Sequence, residues 1–375
     1  MRPSRFRLCA PILAASLLAA ACSSAARAAG PARDFTEMPL EQLVDLNVVS
    51  LNVLGTHTHF AGQSMFAVRS MFMRMDGLRD GTKRVSLDEV LAETVPAGDG
   101  GRPRTGPGGA FEPAHDGFLV TGTEMDMAMQ MLSAMYAPAD DVTLMAMISY
   151  VRRSMLHVTR SGGSYTTKSS GVGDIALMAL FTALQSEHHG HRLILNTGVS
   201  IPTGSIDEQD LNLAGEDHYL SYTMQNGSGT FDLMPGLTYV GESEYWAWDV
   251  DAAATLRLGR NERDYSLGDR VRLGPRLSRR VQDWLSVSLG AEGEIAGNVD
   301  GADSRLDTDH TPMDDPQRQA SRRVDLLGGV TLFDSDFTSG GARVAIEVAI
   351  PVYEDLDGPA LETDWMAKLG AQLVF

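Results

Sequence analysis

Apolar and polar residues alternate along much of this chain with a period of two. In 191–202, Leu193, Leu195, Thr197, Val199 and Ile201 share one side, opposite Arg192, Asn196 and Ser200. In 341–352, Val344, Ile346, Val348 and Ile350 oppose Arg343, Ala345 and Glu347. In 283–296, Leu285, Val287, Leu289 and Ala291 oppose Ser286, Ser288, Gly290 and Glu292. This period places successive side chains on opposite faces of a strand. Twelve strands are expected, near 63–75, 117–136, 141–156, 170–184, 191–202, 227–240, 243–257, 268–280, 283–296, 321–333, 341–352 and 362–375. Gly, Pro, Asp, Asn and Ser fill most of the gaps, and short gaps alternate with long ones. An antiparallel meander barrel with both ends of the chain on one side produces that alternation, with short turns at one rim and long loops at the other. The expected fold class is therefore all-β, a transmembrane antiparallel meander β-barrel of about twelve strands and of outer-membrane type. No run approaches 18 consecutive apolar residues, so a helical membrane protein is excluded.

The last segment is the most telling one. Trp365, Ala367, Leu369, Ala371, Leu373 and Phe375 form a face suited to lipid, and Met366, Lys368, Gly370, Gln372 and Val374 a face suited to a wet lumen. A closing barrel strand that carries the insertion signal ends on such an aromatic residue. The alternative is a secreted β-sandwich whose apolar faces pack in two sheets.

At the other end, Arg2, Arg5 and Arg7 precede an apolar run, Leu8 to Ala21, and then small residues, the layout of a secretory signal peptide over 1–28. Cys22 after Leu18-Ala-Ala-Ala leaves lipoprotein processing as the alternative. Cys9 and Cys22 are the only cysteines, so cleavage after Ala28 leaves no thiol for disulfides, thiolate metal sites or Cys nucleophiles. Residues 29–60 read as a periplasmic or plug-like segment with a short amphipathic helix at 38–47, and 61–375 as the barrel.

A net charge of -18 makes nucleic acid an unsuitable partner. Acidic clusters occupy the expected loops at 203–226 and 297–320. They are read first as solvated loops, with cation bridging to surface lipid phosphates and control of traffic at the mouth as alternatives. Charges on a strand are tolerated in a hydrated or ion-paired lumen but not in lipid. On that ground Asp126, Asp174, Arg192, Asp232, Arg272, Arg276, Arg343 and Glu347 are the candidate lumen-lining residues.

Nineteen methionines stand out. Met71, Met73 and Met75 alternate, as do Met125, Met127, Met129 and Met131, and His57-Thr-His59 and His188-His189-Gly-His191 add imidazoles. Thioether with imidazole suits copper. Against this, Glu124, Asp126 and Gln130 oppose the second methionine set and claim the lumen, which turns those methionines to lipid. No Gly-x-Ser-x-Gly or phosphate-cradling loop occurs, so no enzymatic activity is expected. Neither a cofactor nor a metal site is assigned.

Three motifs carry a resemblance: Ser169-Ser-Gly-Val-Gly-Asp174, Leu195-Asn-Thr-Gly-Val-Ser-Ile-Pro-Thr-Gly204 and Asn226-Gly-Ser-Gly-Thr-Phe-Asp-Leu-Met-Pro-Gly-Leu-Thr-Tyr239. With the last strand, they resemble the outer-membrane barrels grouped as phenol meta-degradation pathway proteins, over roughly 60–375. The resemblance implies a barrel that passes small aromatic or other hydrophobic molecules, with no catalytic residues. Its expected partners are outer-membrane lipid and lipopolysaccharide, the barrel-insertion machinery and a small solute, and it is expected to be a monomer. A non-conducting structural or adhesive barrel and Met/His-dependent copper handling are the alternative functions.

Overall fold

In a computed structural model, the structure describes residues 57–93, 117–186, 190–334 and 341–375. The expected signal peptide at 1–28, the expected helix at 38–47, and His188 and His189 lie outside them. In chain order the strands are β1 (Ser64–Gly81), β2 (Lys83–Val85), β3 (Val120–Ala139), β4 (Val142–Thr159), β5 (Ser164–Val172), β6 (Ile175–Gln185), β7 (His191–Ile201), β8 (Gln209–Leu211) and β9 (Asp217–Tyr219). They continue with β10 (Phe231–Leu233), β11 (Gly236–Glu242), β12 (Trp246–Leu258), β13 (Tyr265–Ser266), β14 (Arg270–Gln282), β15 (Leu285–Ala296), β16 (Asp300–Gly301), β17 (Ser321–Asp334) and β18 (Ala342–Val374). Among the described residues a short α-helix, α1 (Leu87–Ala92), is started by a capping box between Ser86 and Glu89.

The sheet closes on itself in the order β12, β11, β7, β6, β4, β3, β1, β18, β17, β15, β14 and back to β12, with every pair antiparallel. β18 contributes two passes. A straight strand of its 33 residues would run for roughly 110 Å, several times the hydrocarbon thickness. Instead it doubles back: the Val374 N–H donates to the Gly341 carbonyl at 3.1 Å, and the Lys368 ammonium lies 3.1 Å from the Glu347 carboxylate. Its first limb pairs with β17 and its second with β1. The wall is therefore crossed twelve times, as the alternation predicts. Several elements differ from the sequence reading, two of them at the barrel wall itself. The expected loop at 353–361 is strand almost to the hairpin tip, and the expected loop at 157–169 holds the start of β5, which extends the β4 edge beyond the rim.

Side chains sort as lipid and lumen require. Phe66, Phe72, Leu132, Tyr136, Ile148, Leu195, Val199, Leu289, Ile346, Ile350, Trp365 and Leu369 are exposed on the outside. Their neighbours one residue away point inward. Exposed apolar surface on this scale, continuous around a closed sheet, is what a bilayer covers. The short turns lie at one rim, where β1 meets the chain end: Ser64 N–H donates to the Phe375 carbonyl at 3.0 Å and Phe375 N–H to the Ser64 carbonyl at 2.8 Å. The long loops lie at the other rim and are called the outer end below.

Candidate functional site

The lumen has two unlike walls. On β1 the exposed Phe66 and Phe72 fix the even positions as outward, so Met65, Met71, Met73 and Met75 point in. On β3 the exposed Leu132 and Tyr136 do the same, and Met125, Met127, Met129, Met131 and Met135 point in. Met145, Met147 and Met155 follow on β4, and Met178 on β6. The register places them directly opposite one another. Met65, Met135, Met145 and Met178 form one row across four strands, and Met75, Met125 and Met155 another. Met73 faces Met127 on one side and Met366 on the other. Directly paired side chains in a sheet stand about 4.5–5.5 Å apart at Cβ, so each row is a continuous band of thioether.

This reverses the sequence expectation for Met125 to Met131 and for Asp126. Asp126 shares the outward face. It is held there by Arg74, which donates through Nη1 to both carboxylate oxygens at 3.0 and 2.9 Å and through Nη2 to Glu124 at 2.5 Å. Gln130 likewise accepts from Ser70 at 2.6 Å on the outer face. Arg74 lies ten residues above the inner rim. A tilted strand climbs about 25 Å in that length, so this charge group sits at the outer membrane interface rather than mid-bilayer. Strand parity weighs each carboxylate alone, whereas the register supplies its cation from the neighbouring strand.

The opposite wall is ionic. Arg276 on β14 lies 3.6 Å from Glu292 on β15, 4.0 Å from Asp249 on β12 and 3.3 Å from Glu347 on β18. β15 and β17 separate β14 from β18, so the Arg276–Glu347 pair is a chord across the lumen. Lys368 completes Glu347 from the far limb of β18. Arg272 reaches Glu292 at 3.9 Å, and Arg323 pairs with Asp325 at 3.0 Å and Glu294 at 4.0 Å. Nearer the inner rim, Arg192 pairs with Glu242 at 3.5 Å. Arg343 points inward and lies against the Phe333 ring.

Loops cover the outer end. The turns Tyr222–Met224 and Pro312–Asp314 bring Leu220, Met224 and Met313 onto Met125, Met155, Leu78 and Leu361, with Val90 and Leu91 of α1 and Phe118 closing the cluster. Several acidic loop residues are ties within this cover. Asp207 accepts from Arg305 at 2.6 Å and from Arg263 at 2.8 Å, and these hydrogen bonds hold its carboxyl below the usual range. Burial opposes ionisation of Asp303, but Arg305 outweighs it and holds that carboxyl low as well. Asp314 is the exception. It is buried, its partner is the Ser221 hydroxyl at 2.5 Å, and burial pushes it up to about 7.

The three sequence motifs meet beneath that cover. Asp174 accepts from Gly204 N–H at 2.9 Å and from the Ser228 N–H and hydroxyl at 2.8 and 2.7 Å. Asp232 accepts from Thr230 at 2.7 Å and pairs with Arg257. Asn226 accepts from Arg153 at 3.1 Å. Gly204 and Gly227 press backbone to backbone, so that a Cβ on Gly227 would collide with the Gly204 carbonyl oxygen. Only glycine permits that approach. At the inner end, residues 57–60 lie across the mouth: His59 N–H donates to Thr143 on β4 at 3.0 Å, and Thr58 bonds Thr182 on β6 at 3.1 Å.

Residues 108–301, over half of the chain, match the model of a family described as "Putative MetA-pathway of phenol degradation". The chain belongs to this family. No curated protein matches the sequence. Among solved structures, an outer-membrane channel from Pseudomonas putida F1 is similar at TM-score 0.55 and 13% identity, over 86% of this chain and 98% of that one. The P. putida toluene transporter TodX is less similar, at TM-score 0.41 and 9% identity over 84% and 90% of the two chains. The likeness to the first shows the fold, and with the apolar exterior it places this family member in the outer membrane.

Within the family member, the eight residues chosen from sequence fall into four groups. Arg272, Arg276 and Glu347 join one lumen cluster, while Arg192 and Arg343 point inward near the inner rim. Asp174 and Asp232 anchor loops at the outer rim, and Asp126 stands outside. Sequence reasoning missed Asp249 and Asp325, whose inward parity was available from their strands, and left Glu292 and Lys368 out of the candidate set although it placed both on the lumen-side faces. His191, next to the turn, bonds the Tyr239 hydroxyl at 2.8 Å.

Proposed function

We propose that the barrel is a passive route for small hydrophobic or amphipathic molecules, aromatic ones among them. The observation that carries this reading is the pairing of a thioether wall with an ionic wall inside one closed sheet. Methionine is flexible and polarisable, makes favourable contacts with aromatic rings, and adapts to ligands of different shape. The facing charges supply polar contacts for a hydroxyl or other small polar group. The description of the family by phenol degradation, and of the similar P. putida protein as a channel, points the same way. In this reading residues 61–375 are the barrel, 29–60 are a plug-like inner segment of which 57–60 hold the mouth, and the protein works as a monomer in lipopolysaccharide-bearing membrane.

The test combines two measurements on the refolded protein. Planar-bilayer recording reads ion conductance, and vesicles read uptake of phenol against a sugar of larger polar surface. Phenol uptake above protein-free vesicles, with little for the sugar, is the expected result. A second reading, a closed scaffold, is favoured by the Arg276–Glu347 chord and the outer cover. It predicts insertion with neither conductance nor uptake.

A further inference from the structure

At the inner mouth two imidazoles meet the end of one thioether row. His57 Nε2 lies 3.3 Å from Met65 Sδ. The rings of His57 and His59 meet edge-on with centroids 4.8 Å apart. His59 is 7% exposed, and its Nε2 has no hydrogen-bond partner. An unpaired polar atom buried to this degree calls for a ligand or a cost. Met65 is buried too, and it heads the inner row that continues through Met135, Met145 and Met178.

The 3.3 Å between His57 Nε2 and Met65 Sδ fits shared coordination, with the His59 ring against His57 as the third donor. Imidazole nitrogen and sulfur bind first-row metals at about 2.0 and 2.3 Å, which separates the two donors by roughly 3.1–3.8 Å at bond angles of about 90–120°. We propose that His57, His59 and Met65 form a binding site for a soft monovalent cation, Cu(I) or Ag(I), at the inner end of the lumen. Ligand type selects the ion. Thioether and imidazole together suit a soft ion. Among the described residues, no three His, Cys, Asp or Glu side chains stand together to satisfy a harder divalent metal. Two or three ligands are enough for a d10 monovalent ion, and three are what the site offers. The methionine rows give such an ion further thioether contacts along the lumen. Bound there, it ties the 57–60 segment to β1. The proposal stands whether or not organic solutes pass.

The test uses the mature chain in detergent, without a histidine tag. Ag(I) is titrated directly and Cu(I) in competition with a chromophoric chelator under reducing conditions, while the methionine methyl resonances are followed. The expected result is a first equivalent bound at least tenfold more tightly than later ones, with the Met65 methyl shifted first. Met65→Leu and His57→Gln each weaken that equivalent tenfold or more, Met155→Leu in the outer row leaves it unchanged, and Zn(II) competes poorly. Met65→Leu keeps the volume, so folding is retained and is checked by heat-modified gel migration. Equal Ag(I) affinity in the wild type and Met65→Leu, an unmoved Met65 methyl, or Zn(II) bound as tightly as Ag(I) would each overturn the proposal and leave a packing contact between His57 and Met65.

Discussion

On β1, β3, β4 and β6 many of the inward positions are methionine. On β12, β14, β15, β17 and β18 many are charged, and Arg276 lies within 4.0 Å of three carboxylates from three strands. Both walls line the same lumen with large, flexible side chains, yet they respond to change in opposite ways. A thioether contact is weak, without direction and replaceable by its neighbour. An ion-pair cluster is held by shared partners, and the loss of one member leaves buried charge less compensated. One wall is therefore built to adapt and the other to stay in place.

The largest expected effect comes from breaking the rigid wall. Arg276→Leu leaves Asp249, Glu292 and Glu347 without their shared cation and is expected to destabilise the barrel by about 3–5 kcal/mol. The temperature at which the folded band is lost on unboiled gels measures it. Adding Glu347→Gln should restore part of the loss. An additive double mutant would show that the chord is not a coupled unit.

The outer cover gives the next effect, because Asp314 ties to neither wall. Its folded pKa, about 7, lies above the ordinary 3.8. The folded state therefore holds a proton that the unfolded state has released between those values. The cover is most stable at the acid end of that window and loses stability as pH rises towards 7, by on the order of 2–4 kcal/mol in total. Hydrogen exchange at 221–224 and 312–314, corrected for intrinsic rate, should show faster opening at pH 8 than at pH 5. Asp314→Asn should abolish the difference.

Tolerance in the adaptive wall should be plain. Met129→Leu is expected to change stability by less than about 1.5 kcal/mol and to leave phenol uptake nearly intact. Met129→Asp should lower both. Equal losses from the two substitutions would mean that this wall is as rigid as the other.

The smallest effect sharpens which side is which. Asp126→Asn removes an exposed outer ion pair and should cost about 1 kcal/mol or less, with conductance unchanged. A spin label attached to the thiol of an Asp126→Cys variant should be quenched by a lipid-soluble reagent rather than a water-soluble one. A conductance change would return Asp126 to the lumen.

The architecture was legible because a period of two survives in nearly every strand, and because turn residues mark the rims. Strand faces were legible where an aliphatic set opposes a polar one, as at 283–296 and 341–352. At 124–131 the sequence reading is the reverse of the structure: methionine suits lipid or lumen, and the acids that claim the lumen by parity are unreadable without Arg74, fifty residues earlier. Asp174 and Asp232 were visible as special, but their role as loop anchors depends on Gly204 and Ser228, which only folding brings near. The chord from Arg276 to Glu347 spans three strand spacings, and no local pattern encodes it.

The pairing of β1 with the second limb of β18 joins Met65 to Val374, positions 309 apart in the chain. Most other neighbours in the ring are consecutive hairpins with short or moderate connections. Loop-closure entropy makes the local hairpins quick and this seam slow. Until the seam forms, the chain is an open sheet with two unpaired edges, the state most prone to pair with another molecule. Assembly of this barrel is thus a race whose last step joins its first and last strands. Substitutions at the seam should appear first as lost yield on insertion, before any change in the finished wall.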